Sequence, residues 1–276
     1  MPAFPASSRP VVLITGAAKR LGRSMALDLA AHGFDIAVHY RGSQTEALET
    51  VADLRAAGAA AHAFQADLMD EAACVALVPA VLAQFNRLDA VVNNASTFEY
   101  DTAATFSHAA MDKHWRANTA PAVILAQALH AHLSSSRRNS SRDSGNNHDN
   151  APPSGCVVNI VDQKLWNLNP DHFSYTLSKA ALQAATVMLA QALAPQVRVC
   201  GVAPGVTLAS GPMSEAEFTA AHQLTPLRRS STPDDIARAV RFLIESPAIT
   251  GTTLMVDGGQ HLSAQPRDVL YLAQKD

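Results

Sequence analysis

The chain has 276 residues, 48% of them apolar types and 16% charged, with a formal net charge of −3. That supplies a sizeable core, excludes a disordered polyampholyte and gives no basic face for a nucleic-acid or anionic-membrane partner. Three widely spaced cysteines, Cys74, Cys156 and Cys200, form no CxxC pair and no disulfide framework, so buried or free thiols in a reducing cytoplasm are expected.

Residues 1–9 lack the basic start and apolar run of a secretory signal and read as a flexible tail. From Pro10 onward, short β-branched runs alternate with longer Ala- and Leu-rich segments. RPVVLITG predicts a buried strand and Arg20 to His32 a helix. FDIAVHY is the next strand and Gln44 to Ala57 the next helix. AAHAFQAD, Glu71 to Asn86 and LDAVVNNA continue as strand, helix and strand. Met111 to Leu133 predicts a helix, GCVVNIVD a strand, and Phe173 to Ala194 a helix. QVRVCGVAPG, Pro233 to Glu245 and TTLMVDGG close the series as strand, helix and strand. Strands apolar throughout and separated by helices predict a parallel sheet covered on both faces. The expected class is α/β: one doubly wound, seven-stranded domain over residues 10–262, with residues 263–276 as a C-terminal tail.

Three stretches stand apart. Ser134 to Ser154 holds seven Ser and four Asn and reads as a flexible surface insertion before the fifth strand. Thr207 to Pro226 carries Gly211, Pro212 and Pro226 around a short helix; it follows a strand end, where open α/β sheets bind ligands, and predicts a lid over a substrate. Ala180 to Val197 has no charge over 18 residues, but Gln183, Thr186 and Gln191 interrupt it and Pro195 closes it, so a buried or interface helix is expected rather than a membrane span.

The turn after the first strand reads Thr15-Gly16-Ala-Ala-Lys19-Arg20-Leu21-Gly22. Such a turn lets backbone N–H groups and a helix N-terminus face a pyrophosphate. Gly16 permits the turn, Gly22 the close approach of helix to strand, and Lys19 and Arg20 favour a phosphate-bearing ligand. At the end of the second strand, where NAD-binding sites place a carboxylate for the ribose 2′-OH, the chain offers Arg41 and Ser43; Asp35 lies at the strand's start. A carboxylate there would cost on the order of 4 kcal/mol against a 2′-phosphate at about 4 Å. Its absence, with an Arg present, favours NADPH. Asp67 and Leu68 at the third strand end suit an adenine, and Asn93-Asn94-Ala95 at the fourth presents small polar groups beside the cofactor. The domain is therefore expected to be Rossmann-type.

Asp162 follows the fifth strand, and thirteen residues later come Tyr175 and, four further on, Lys179. The last two share one helix face. A neighbouring ammonium favours the phenolate and makes Tyr175 a workable proton donor opposite an incoming hydride, while Lys179 can hold the nicotinamide ribose. The eleven His residues include no HExxH, and His130 and His132, two apart, share no helix face, so no metal site is expected.

Together these residues resemble the short-chain dehydrogenase/reductase family over about residues 10 to 262: the TGxxxxxG turn, Asn-Asn-Ala, YxxxK, Pro204-Gly205 and Val256-Asp257-Gly258-Gly259. The resemblance implies that Pro204 and Gly205 touch the cofactor, that Asn118 holds a water in a proton relay to Lys179, and that the enzyme is a homotetramer with the uncharged helix in an interface. Two departures from the common pattern, Arg20 for the middle glycine and Asp162 for the usual Ser, resemble pteridine reductases. That resemblance implies a sandwich of a pterin against the nicotinamide by Phe98, after Asn94-Ala95-Ser96. Arg20 and Ser96 would bond the pterin's polar edge. Asp162 would accept from ring N–H or amino groups or relay a proton through Tyr175. Trp115, Trp166 and Tyr100 are further candidates to shape the pocket. The expected activity is cytoplasmic, NADPH-dependent reduction of a dihydropterin or dihydrofolate. A carbonyl reductase of 3-oxoacyl or sugar ketones and a non-catalytic nucleotide-binding regulator are the alternatives.

Overall fold

The structure is a computed structural model that describes residues 9–144, 155–209 and 213–272. Seven parallel strands form one sheet: β1 (Val11–Ile14), β2 (Asp35–Tyr40), β3 (Ala61–Gln65), β4 (Ala90–Asn93), β5 (Gly155–Ile160), β6 (Val197–Pro204) and β7 (Thr253–Val256). Their order is β3-β2-β1-β4-β5-β6-β7. The chain thus winds outward one way from β1 and then the other way from β4, leaving a crevice at the C-terminal ends of the two strands.

Alternation along each strand builds the two faces. Val12 and Ile14 join Val92 and Val158 under α1 (Arg20–Ala31), α2 (Gln44–Ala56) and α8 (Pro233–Glu245), which contribute Met25, Leu29, Leu54, Ile236 and Leu243. Val11 and Leu13 join Val91 and Val157 under α3 (Glu71–Phe85), α5 (Ala120–Ser144) and α6 (Phe173–Ala192), which contribute Val81, Leu125, Leu129 and Ala190. Both faces of β1, β2, β4, β5 and β6 are buried, which is why those strand sequences carry no polar alternation.

Several boundaries differ from expectation. The helix predicted over Met111 to Leu133 is α4 (His108–His114), then a π-helical turn at Trp115–Thr119, then α5. The first part of the insertion expected at 134–154 continues α5 to Ser144, because a helix already anchored on the sheet extends at little nucleation cost; residues 145–154 lie outside the described residues. Of the N-terminal tail, residues 1–8 also lie outside, while Arg9 is anchored to the carbonyls of Gly58, Ala30 and Phe34. The stretch expected as a lid contains α7 (Glu215–Gln223), opened by a capping box between Ser214 and Glu217; Gly211 and Pro212 lie outside the described residues. The segment expected as a C-terminal tail instead folds back over the crevice and ends in α9 (Val269–Leu272); residues 273–276 are outside the description. Among the described residues, no helix is long and apolar enough to cross a membrane.

One buried histidine ties the sheet to the turn after β1. His39, 2% exposed, accepts from Gly16 N–H at Nδ1 (3.1 Å) and donates from Nε2 to the Ala66 carbonyl (3.1 Å). This requires the neutral tautomer protonated at Nε2. Burial pushes its pKa down to about 4. The unfolded chain takes up this proton near the ordinary pKa of 6.5, so stability is retained above that pH and lost as pH falls towards 4. The loss is on the order of 3 kcal/mol. His39→Gln, which supplies an acceptor and a donor without titrating, is expected to remove most of this acid dependence in urea unfolding at a series of pH values.

Candidate active site

Two contiguous cavities open at the crevice. The first, about 500 Å³, is lined by the turn Gly16–Gly22, by Arg41, Gly42 and Ser43, by Asp67 and Leu68, and by Asn94, Ala95 and Ser96. Gly16 has φ +65°, and a Cβ on Gly22 would meet the Gly16 carbonyl, Asn94 and Ala17. The start of α1 is therefore pressed against the turn as a cradle for an anion. Arg20 occupies the place of a glycine and keeps a glycine's backbone, with φ +53°. Its guanidinium spans the crevice to the Ala209 carbonyl (2.9 Å), so it lines both cavities. Lys19 lies 3.5 Å from Glu46, an exposed pair of little energetic weight. The Arg41 guanidinium makes no ion pair among the described residues, and Ser43 precedes α2 without using its hydroxyl to cap it. Asp67 lines the cavity, with Oδ1 accepting from Met69 N–H.

Asn94 Nδ2 donates to the carbonyls of Thr15 (2.8 Å) and Gly16 (3.3 Å), clamping the turn to the end of β4. Asn93, expected beside the cofactor, points instead into a buried chain through Asn159 to Thr186. The alternation of a strand decides this: neighbouring side chains leave on opposite sides.

The second cavity, about 300 Å³, is lined by Arg20, Asn94, Ser96 and Phe98, by Asp162, Gln163, Tyr175 and Lys179, by Pro204 and Gly205, and by Asp268–Leu270. The Tyr175 hydroxyl donates to Asp162 Oδ2 (2.7 Å), and Asp162 Oδ1 accepts from Lys164 N–H (2.9 Å). Lys179 donates to the Ile160 carbonyl (2.8 Å), and its Nζ lies 5.8 Å from the Tyr175 ring centre. Burial raises the pKa of Asp162 and lowers that of Lys179 to about 8. The Tyr175 phenol is held well above its ordinary range by burial, then by the Asp162 charge and hydrogen bond. This corrects the expectation that Lys179 would draw Tyr175 towards phenolate: the carboxylate is closer to the hydroxyl and acts the other way.

The side chain of Asn118 is held by its neighbours. It sits in the π-turn, accepts from Thr97 N–H (2.7 Å) and the Ser96 hydroxyl (3.1 Å), and donates to the Thr97 carbonyl (3.0 Å) and Ser178 (2.9 Å). Both side-chain donors and both acceptor directions are thus engaged by protein. It positions the 96–98 loop against α6. Phe98 is 42% exposed, stacked on His172 at 4.0 Å with an interplanar angle of 21°. Trp115 and Trp166 are exposed and line neither cavity, and Tyr100 packs with His172 and Tyr271.

Sequence reasoning missed the residues that frame this cavity. Asp101 accepts from Ser174 N–H (2.9 Å) and its hydroxyl, capping α6 from the β4 loop. Lys164, 3% exposed, donates to the Asp171 carbonyl (2.5 Å) and pairs with Asp268 (3.2 Å), fastening the C-terminal segment across the crevice. Arg267 pairs with Asp171 (2.7 Å) in the same clasp. No local spacing signals these pairs, since Lys164 and Asp268 are 104 residues apart. Replacing Asp162 by Asn removes the charge that holds the Tyr175 proton. Asp162→Asn is expected to bring the Tyr175 pKa down, read from the phenolate difference absorbance against a Tyr175→Phe control.

Residues 16–261 match the family model described as enoyl-(acyl carrier protein) reductase. The crystal structure of FolM alternative dihydrofolate reductase 1 from Brucella canis, complexed with NADP, is similar with a TM-score of 0.80 and 37% identity, over 92% of this chain and 95% of that one. The Brucella suis FolM alternative dihydrofolate reductase 1, also in complex with NADP, gives 0.80 and 36%, over 94% and 98%. The 3-oxoacyl-[acyl-carrier-protein] reductase of Synechocystis sp. is 31% identical over 90% of this chain and 96% of its own length. With its crevice, its Tyr175–Lys179 pair and these matches over nearly the whole domain, the chain belongs to the short-chain dehydrogenase/reductase family.

Proposed function

We propose that the protein is an NADPH-dependent reductase of oxidised pterins, of the dihydropteridine or dihydrofolate class. The observation that carries the reading is the Asp162–Tyr175 hydrogen bond, 2.7 Å long, in a cavity that also exposes the Phe98 ring. The likeness to the two FolM alternative dihydrofolate reductases supports it.

The first cavity fits a dinucleotide: the Gly16–Gly22 cradle suits the pyrophosphate, and Arg41 and Ser43 suit a 2′-phosphate. Asp67, Leu68, Asn94 and Ala95 line its remaining length, and Pro204 and Gly205 border the adjoining cavity. NADPH, when bound there, supplies a hydride to a carbon of a C=N bond. The protein supplies the rest. Phe98, backed by His172, offers one ring face for stacking. Arg20 and Ser96 bond the ring's polar edge. When Asp162 is protonated its O–H turns to donate to the Tyr175 oxygen, which frees the Tyr175 proton for a ring nitrogen. The raised pKa of Asp162 makes this form accessible, and Lys179 offsets negative charge left on Tyr175.

The carbonyl-reductase reading is favoured by the 3-oxoacyl reductases among the relatives. Against it stands Asp162, which when ionised opposes a developing alkoxide on a ketone. The exposed Leu177, Val187 and Met188 of α6 support an interface between copies through that helix; a homotetramer is expected, with a mass four times the chain's in light scattering.

Loss of NADPH absorbance with dihydrobiopterin and dihydrofolate, beside a 3-oxoacyl thioester, tests the reading. Turnover of a pterin is expected; turnover of the thioester alone replaces it with the carbonyl reductase, and no turnover of any favours a nucleotide-binding regulator. Tyr175→Phe is expected to lower kcat by roughly two to four orders of magnitude. Activity should fall as pH rises through the Asp162 pKa, and again near pH 8 as Lys179 loses its proton. In Asp162→Asn, whose amide can donate to Tyr175, only the limb near 8 should remain. Arg41→Ala should raise the KM for NADPH about tenfold and leave that for NADH little changed.

A further inference from the structure

The side chain of Gln163 lines the second cavity, is 8% exposed, and has no hydrogen-bond partner among the described residues; its Oε1 is fully buried. A buried carbonyl left unpaired keeps its full desolvation penalty, so such groups in native proteins call for an explanation. The neighbouring polar side chains are all committed. Asp162 is bonded to Tyr175 and to Lys164 N–H, Lys164 is bonded to Asp171 and Asp268, and Asp268 Oδ1 accepts from Leu270 N–H. The Gln163 carboxamide alone keeps both a donor and an acceptor unspent, on a 3₁₀ turn (Gln163–Trp166) directly after Asp162.

We infer that Gln163 is a specificity-determining residue that pairs with polar groups on the substituent of the substrate ring. The inference rests on the pterin reading. In that reading Arg20 and Ser96 take the ring's polar edge, Asp162 and Tyr175 its reacting end, and Phe98 one face. What remains for Gln163 is the substituent, which then lies against Asp268–Leu270 of the C-terminal segment in the same cavity. A neutral carboxamide, with N–H and C=O side by side, complements hydroxyl groups, each of which both donates and accepts. It gains nothing from an alkyl group. The preferred substrate therefore carries a hydroxylated side chain on the ring.

The test compares kcat/KM for dihydrobiopterin, which bears a dihydroxypropyl group, with that for 6-methyl-7,8-dihydropterin, in the wild-type enzyme, Gln163→Leu and Gln163→Met. The wild type is expected to favour the hydroxylated substrate by about tenfold or more, a factor near that of one buried hydrogen bond. Both variants should bring the ratio to near one, chiefly through the KM for dihydrobiopterin, with the Kd for NADPH unchanged. A ratio of activities does not depend on how much of a variant is folded. A wild-type preference that survives in both variants overturns the role of Gln163, as does a wild type without preference. A wild type that reduces neither pterin overturns the pterin reading itself, and this inference with it.

Discussion

The structure depends on how the β1 and β4 ends are fastened where the sheet changes its direction of winding. Thr15 does most of this: its hydroxyl donates to the Val92 carbonyl and accepts from the N–H groups of Asn94 (2.8 Å) and Ala95 (2.9 Å). Asn94 returns two bonds to the turn, and His39 holds it from the other side. Parallel strands whose connections leave in opposite directions necessarily part at this point. The bonds around Thr15 keep the gap from spreading and set the turn's backbone at the floor of both cavities.

Above that floor, burial does most of the chemical work. Asp162, Tyr175 and Lys179 sit deep in the second cavity, where loss of hydration favours the neutral form of each. In water a carboxyl is far more acidic than a phenol or an ammonium, which titrate close together. Desolvation brings the carboxyl and ammonium values towards each other while keeping the phenol protonated. A Ser in the place of Asp162 would lack the charge that now holds the Tyr175 proton, so the departure from the family pattern alters the acid itself and not only the shape of the pocket.

The walls come from segments with little regular structure, and each is held by bonds over long stretches of chain. The Phe98 loop is laced to α6 through Asn118, Asp101 and His172. The C-terminal segment is clasped by Lys164, Asp171 and Arg267 and packs its Val269 with Ala221 of α7. Polar side chains serve here because loops have few apolar positions to bury, while charge-assisted hydrogen bonds fix orientation as well as distance.

The amino-acid sequence by itself determined the alternation of strands and helices, the glycine turn, the absence of a carboxylate at the end of β2, and the identity of Asp162, Tyr175 and Lys179. These are local properties: apolar runs, i to i+4 spacing and turn chemistry are written in neighbouring residues. Helix α8 begins where the sequence places it, at Pro233, with Thr232 and Asp235 forming its capping box. The tertiary structure alone decided the direction in which Tyr175's acidity moves, because that depends first on the burial of the phenol and then on which charged group lies nearest its oxygen. It alone turned Asn93 inward, bonded the side chain of Asn118 to the 96–98 loop and Ser178, and carried residues 263–272 back over the crevice. Each of these rests on contacts between distant parts of the chain, which arise only when packing brings the partners together.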